Sequence, residues 1–97
     1  MSSASTLSLT ATVRAAEDQV SCDVADEVVL LSMRSGQYYG LNEVGASIWR
    51  LIQRPRTLAE VRDDLLSEYA EVSTETCTIE VLAFAANMLA LGLIQLL

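Results

Sequence analysis

Residues 28–49 read Val28-Val29-Leu30-Leu31-Ser32-Met33-Arg34-Ser35-Gly36-Gln37-Tyr38-Tyr39-Gly40-Leu41-Asn42-Glu43-Val44-Gly45-Ala46-Ser47-Ile48-Trp49, and the reading of this stretch decides the fold. It opens with a β-branched and aliphatic run, Val28 to Met33. Ser35-Gly36 follows, a tight-turn signal in which glycine supplies a positive φ. Gln37 to Leu41 then has the composition of a strand. Together the runs predict a hairpin whose strands centre on Val29 and Tyr39. Asn42 changes the pattern. It is an N-cap type, and Glu43 puts a carboxylate at the positive end of the helix to come. Val44, Ile48, Leu51 and Ile52 fall at i, i+4, i+7 and i+8, one apolar helical face.

Working upstream, Val20, Cys22 and Val24 alternate with Ser21 and Asp23, and Asp26 marks a turn. This adds a strand and completes a three-stranded antiparallel meander. Residues 1–18 are rich in Ser, Thr and Ala, with one weak apolar alternation at Leu7, Leu9, Ala11 and Val13. They read as a flexible N-terminal arm, or at most an added edge strand. The folded domain is therefore expected to span residues 19–97.

Downstream, Pro55 ends the first helix. Thr57-Leu58-Ala59-Glu60 is a capping box that begins a second, with Leu58, Val61, Leu65 and Tyr69 on its inner face. Ser73 or Thr74 caps a third, and Gly92 reads as its C-terminal stop. Leu93-Ile94 is expected to pack back on the core. The expected class is α+β: an N-terminal three-stranded sheet followed by three helices. The third helix is apolar on two sides. Cys77, Val81, Phe84, Met88 and Leu91 make one stripe, and Ile79, Leu82, Ala86 and Leu89 another. A surface helix of a small domain needs only one. Either this helix is central, or one stripe faces a groove that a partner fills.

The composition removes whole classes of chemistry. The 97 residues contain no histidine, and all six basic residues are arginines. That excludes His–Asp triads, histidine-ligated metals and lysine Schiff bases. No phosphate-cradling loop and no nucleophile elbow is present. Cys77 has no histidine to activate it, and Asp63-Asp64 reads as a solvated face. The chain is thus read as a non-enzyme with no cofactor and no metal. Its net charge of −7 argues against binding nucleic acid or an anionic membrane. Cys22 and Cys77 form no disulfide framework, and no signal peptide opens the chain. The uncharged run Val81–Leu97 is seventeen residues and holds Asn87, Gly92 and Gln95, short of the about 20 that a membrane span needs. A cytoplasmic location is the expectation.

The block Tyr38-Tyr39-Gly40-Leu41-Asn42-Glu43-Val44-Gly45-Ala46-Ser47-Ile48-Trp49 resembles the PqqD-like proteins. These are the peptide-chaperone or leader-recognition domains of ribosomally made, modified peptides. The resemblance continues through Leu58-Ala59-Glu60-Val61, Glu80-Val81 with Phe84, and Gly92-Leu93-Ile94, and covers about residues 19–95. The stand-alone size is similar to the leader-binding protein of lasso peptide clusters. Pro55 stands where many relatives carry glycine, which alters a turn and not the site. The resemblance implies a winged-helix-like fold. It also implies a leader peptide bound as an added strand on the free edge of the third strand, lying against the third helix.

The residues independently permit that arrangement. The last strand of a meander has one neighbour, and no Pro or Lys blocks its outer edge. The expected peptide-binding residues are Gln37, Tyr38, Tyr39, Gly40 and Leu41 on the strand, with Cys77, Glu80, Val81, Phe84 and Asn87 on the third helix. Tyr39 and Leu41 are expected to point inward and Tyr38 outward. The expected partners are a precursor leader peptide and a leader peptidase or other processing enzyme. Three further readings remain. One is a peptide chaperone for a radical-SAM enzyme, as in quinone-cofactor biosynthesis. Another is a winged-helix DNA-binding module, with Arg50, Arg54 and Arg56 around one turn. The third is a homodimer paired through the strand edge.

Overall fold

The computed structural model describes residues 7–25 and 27–97. The meander is present as read. Strands β2 (Gln19–Val24), β3 (Glu27–Ser32) and β4 (Tyr38–Leu41) form one antiparallel sheet in the order β2-β3-β4. The β3–β4 turn carries Gly36 at φ 75, and Ser32 N–H donates to Gln37 O across it at 2.9 Å. The turn assigned to Asp26 lies outside the described residues; beside it, Ala25 adopts φ 58.

Three helices follow: α1 (Glu43–Leu51), α2 (Leu58–Glu68) and α3 (Thr74–Ala90). Each starts where its cap was read. Asn42 Oδ1 accepts from Gly45 N–H at 2.9 Å. Thr57 and Glu60 form the reciprocal capping box. Ser73 Oγ accepts from Thr76 N–H at 3.1 Å. Gly92, at φ 75, follows the last turn of α3. A side chain at Gly92 would also collide with the Arg34 guanidinium, 2.6 Å from its Cβ position. Arg34 spans the hairpin and the C-terminal segment, pairing with Asp18 at 3.4 Å and donating to Gly92 O at 3.4 Å.

The structure corrects the reading of residues 1–18 as a flexible arm, within the part it describes. Thr12–Ala15 is strand β1, the centre of a second sheet in the order β5-β1-β6, with β5 at Arg56–Thr57 and β6 at Ile94–Leu96. Val13 is wholly buried and Ala15 nearly so. The folded unit therefore begins upstream of residue 19. The reason is that β1 joins two segments distant in sequence, pairing Val13 with both Arg56 and Leu96. One core runs between the two sheets and the helices, its largest fully buried side chains being Leu30, Ile52, Leu58 and Leu93. Burying a side chain of this size contributes about 1.5–3 kcal/mol. Among the described residues, no helix is long and apolar enough to cross a membrane.

Candidate peptide-binding site

Strand β4 hydrogen-bonds to β3 and, among the described residues, to nothing on its other side. Of the described N-terminal residues, Thr12–Ala15 are committed to the second sheet. The register shows which backbone groups are open. Ser32 and Gln37 form a bonded pair at the turn, so the antiparallel alternation puts Leu30–Tyr39 and Val28–Leu41 in bonded pairs too. Tyr38 and Gly40 therefore turn their N–H and C=O groups to the free edge. Gly40 has open space where a Cβ would be, so the outer face of the sheet is unobstructed there.

Beside this edge lies α3. Tyr39, half-buried, and Leu41, buried, face it across a cleft of about 240 Å³ walled by Phe84, Asn87 and Leu91. A larger cavity of about 340 Å³ opens between the three helices, lined by Val44, Ile48, Tyr69, Val72, Cys77 and Val81 among others. Asn42, Gly45 and Phe84 line both spaces, which makes the two one groove with Phe84 at the junction. Gly45 is small there for a reason: a Cβ would sit 3.2 Å from Phe84 Cε1.

The lining of the larger cavity is mostly apolar. Glu80 lines the mouth of the larger cavity. The Cys77 thiol is pushed above its usual range, first by burial and then by the charge of Glu80. Its Sγ donates to Arg62 O at 3.7 Å. Ser47, buried near the groove, is satisfied by Tyr69 Oη at 3.1 Å and Glu68 Oε2 at 3.3 Å. No group of metal-ligating side chains forms among the described residues.

The expected site residues thus divide. Tyr39, Gly40, Leu41, Phe84 and Asn87 meet at the cleft, while Cys77, Glu80, Val81 and Phe84 line the larger cavity. Gln37 is exposed at the turn and accepts from Tyr39 Oη at 3.3 Å. Tyr38 points away from the groove and is 72% exposed. The inward tyrosine is therefore the one that lines the cleft, because the groove lies on the inner face of the sheet. Sequence reasoning missed Asn42, Gly45, Tyr69 and Val72. Gly45 had left a signal, since glycine inside a helix costs about 1 kcal/mol and marks close approach. The arginines around the α1–α2 turn make no basic face: Arg50 pairs with Asp23 at 3.3 Å and Arg56 with Asp64 at 3.0 Å.

No curated protein matches the chain. A solved structure described as TbiB1 in complex with the TbiA(beta) leader peptide is similar, with a TM-score of 0.78 and 30% sequence identity over 84% of this chain and 94% of that one. The family described as coenzyme PQQ synthesis protein D matches residues 27–94. That span contains β3, β4, all three helices and the whole groove, and on it the chain belongs to the PqqD family.

Proposed function

We propose that this protein binds the leader segment of a ribosomally synthesised precursor peptide, of the lasso type, and presents it to a processing enzyme such as a leader peptidase. The leader adds as a strand to the β4 edge, with Gln37, Tyr38, Tyr39, Gly40 and Leu41 beside it. Alternate side chains enter the groove at Phe84 and Asn87 and at Cys77, Glu80 and Val81. The protein acts by holding the peptide and carries out no chemistry itself. The observation that carries this reading is the unpaired β4 edge lying along an apolar groove. A bound leader in a similar structure supports it.

The energetics fit a carrier that must release its cargo. Tyr38 and Gly40 offer backbone groups for about four hydrogen bonds at about 1 kcal/mol net each. One anchor in the cleft and one in the larger cavity add about 2–3 kcal/mol apiece. Ordering a disordered leader costs about 2–5 kcal/mol. The remainder, about 3–8 kcal/mol, is a Kd in the micromolar to millimolar range. Edge hydrogen bonds alone would barely cover the ordering cost, so the cavity is essential and not an accessory.

Titrating the protein into a fluorescein-labelled leader peptide, read by polarisation, tests this. Saturable binding with a Kd in the micromolar to millimolar range is expected, and no saturable binding up to millimolar protein overturns the reading. The family description also favours a second reading, a chaperone for a radical-SAM enzyme in quinone-cofactor biosynthesis. The precursor that binds separates the two.

A further inference from the structure

Tyr38 belongs to a second surface. Cross-strand pairing puts Val20 opposite Leu31, Leu31 opposite Tyr38, and Cys22 opposite Val29, with Val24 next along β2. These six side chains share the outer face of the meander, the face turned away from the helices. Val20 is 54% exposed, Val24 53% and Tyr38 72%. A solvated face of an antiparallel sheet ordinarily carries polar residues at these positions. Here it is apolar across all three strands, and Val29 and Leu31 take no part in the core.

We infer that this outer face is the docking site for the processing enzyme, and that the enzyme engages it best when the leader is in place. The inference rests on the leader-binding reading. Its first ground is continuity. A strand added at β4 extends the same sheet, so its outward side chains join Tyr38 and widen the face. A partner covering that face touches protein and peptide together, and each then strengthens the other's binding. The second ground is area. Two strands of six residues and one of four, about 4.8 Å apart with about 3.3 Å per residue, cover on the order of 250 Å². A stable interface takes about 800 Å² per partner. The face alone is too small for a permanent dimer and suits a partner recruited by the loaded form. The third ground is charge. Two copies would bring −7 against −7, whereas a partner with basic side chains around an apolar centre is attracted.

The variant Val20→Thr/Leu31→Thr places a β-branched, strand-forming side chain at both positions and removes apolar contact at the middle of the face, away from the groove. Two measurements are made on it and on the parent: leader affinity by polarisation, and the rate at which the peptidase of the same precursor removes the leader. Leader affinity within about twofold shows the fold intact, and a cleavage rate lowered about tenfold at subsaturating peptidase supports the inference. Adding leader should tighten peptidase binding to the parent and not to the variant. A cleavage rate within twofold of the parent overturns the inference. So does a parent that sediments as a dimer which the variant dissociates, since the occupant is then a second copy. If the parent binds no leader at all, the leader-binding reading fails at the first measurement, before the peptidase is added.

Discussion

Strands β2 and β4 are the two edges of one sheet, and they differ in what lies beside them. On β4, Tyr38 and Gly40 face outward, and α3 stands across a cleft with Phe84 and Asn87 on its wall. On β2 the alternation turns the backbone groups of Gln19, Ser21 and Asp23 to the free edge, and the space beside it is mostly polar, lined by Arg14, Glu17, Trp49 of α1 and Gln53. Asp23 is inward-pointing, exposed and paired with Arg50 at 3.3 Å. A charge in that place guards an edge against pairing with another chain. No charge stands between Gln37 and Leu41. An edge by itself offers hydrogen bonds to any extended chain. A groove beside it supplies pockets, and therefore selection. The comparison teaches that the binding edge is marked by its neighbours and not by its length, since β2 is the longer strand.

The strongest attempt to break the comparison uses proline on both edges. Gly40→Pro removes an N–H that points to the free edge and leaves the β3 ladder intact. It should weaken leader binding at least about 30-fold, through lost hydrogen bonds and a ring standing in the peptide's path. Ser21→Pro makes the same change on β2 and should leave leader affinity within about twofold. Polarisation titration with thermal melts as the fold control checks both. Equal losses would mean that the peptide does not distinguish the edges.

The groove wall comes next. Phe84 is half-buried and lines both cavities, while Ile79, on the opposite side of α3, is 61% exposed. Phe84→Ala should lower leader affinity about tenfold, the worth of one apolar anchor. Ile79→Ala should leave it unchanged. Gly45→Ala is the finer version of the same test. Its Cβ would press on Phe84 Cε1 from 3.2 Å and narrow the junction of the two cavities. A threefold to fivefold weaker Kd is expected, with a melting temperature shifted by only a few degrees. The small shift follows because alanine's helix preference, about 0.5–1 kcal/mol, offsets the crowding.

Legibility in the sequence followed the distance between interacting residues. The meander, its turn and all three helices were readable because their signals are local: alternation over six residues, Ser35-Gly36, and a capping residue ahead of each helix. The second sheet was not. Its strands are two to four residues long and lie at positions 12–15, 56–57 and 94–96, so no window contains both partners of a pair. Thr12–Ala15 is the centre of a sheet because Arg56 and Leu96 flank it, whereas the weak alternation through Val13 says at most that an edge strand is there. The two stripes of α3 showed that one side exceeds the needs of the core. Which side borders the groove depends on where α1 and α2 pack. The same limit hid Tyr69 and Val72, which reach the cavity from the end of α2.

Cys77 gives the smallest expected effect and separates the interior of the groove from the outer face. Its thiol is held above the usual range by burial, then by Glu80 and Asp63, with Arg62 acting the other way. The folded protein therefore keeps this proton where the unfolded chain gives it up. Stability from this source is complete below the ordinary thiol range, about pH 8.5, and falls as the pH climbs from there toward the raised folded value. The slope from one proton is at most about 1.4 kcal/mol per pH unit. Urea unfolding at pH 7, 8.5 and 10 should show this decline, and Cys77→Ala should remove it, so that the cost of the substitution shrinks as the pH rises. Cys22 is exposed on the outer face and Cys77 is buried in the cavity wall. A leader filling the groove should therefore slow alkylation of Cys77 and leave that of Cys22 unchanged. Mass spectrometry of the labelled protein, with and without leader, reads both. Equal protection of the two thiols would place the peptide across the outer face and reverse the assignment of the edges.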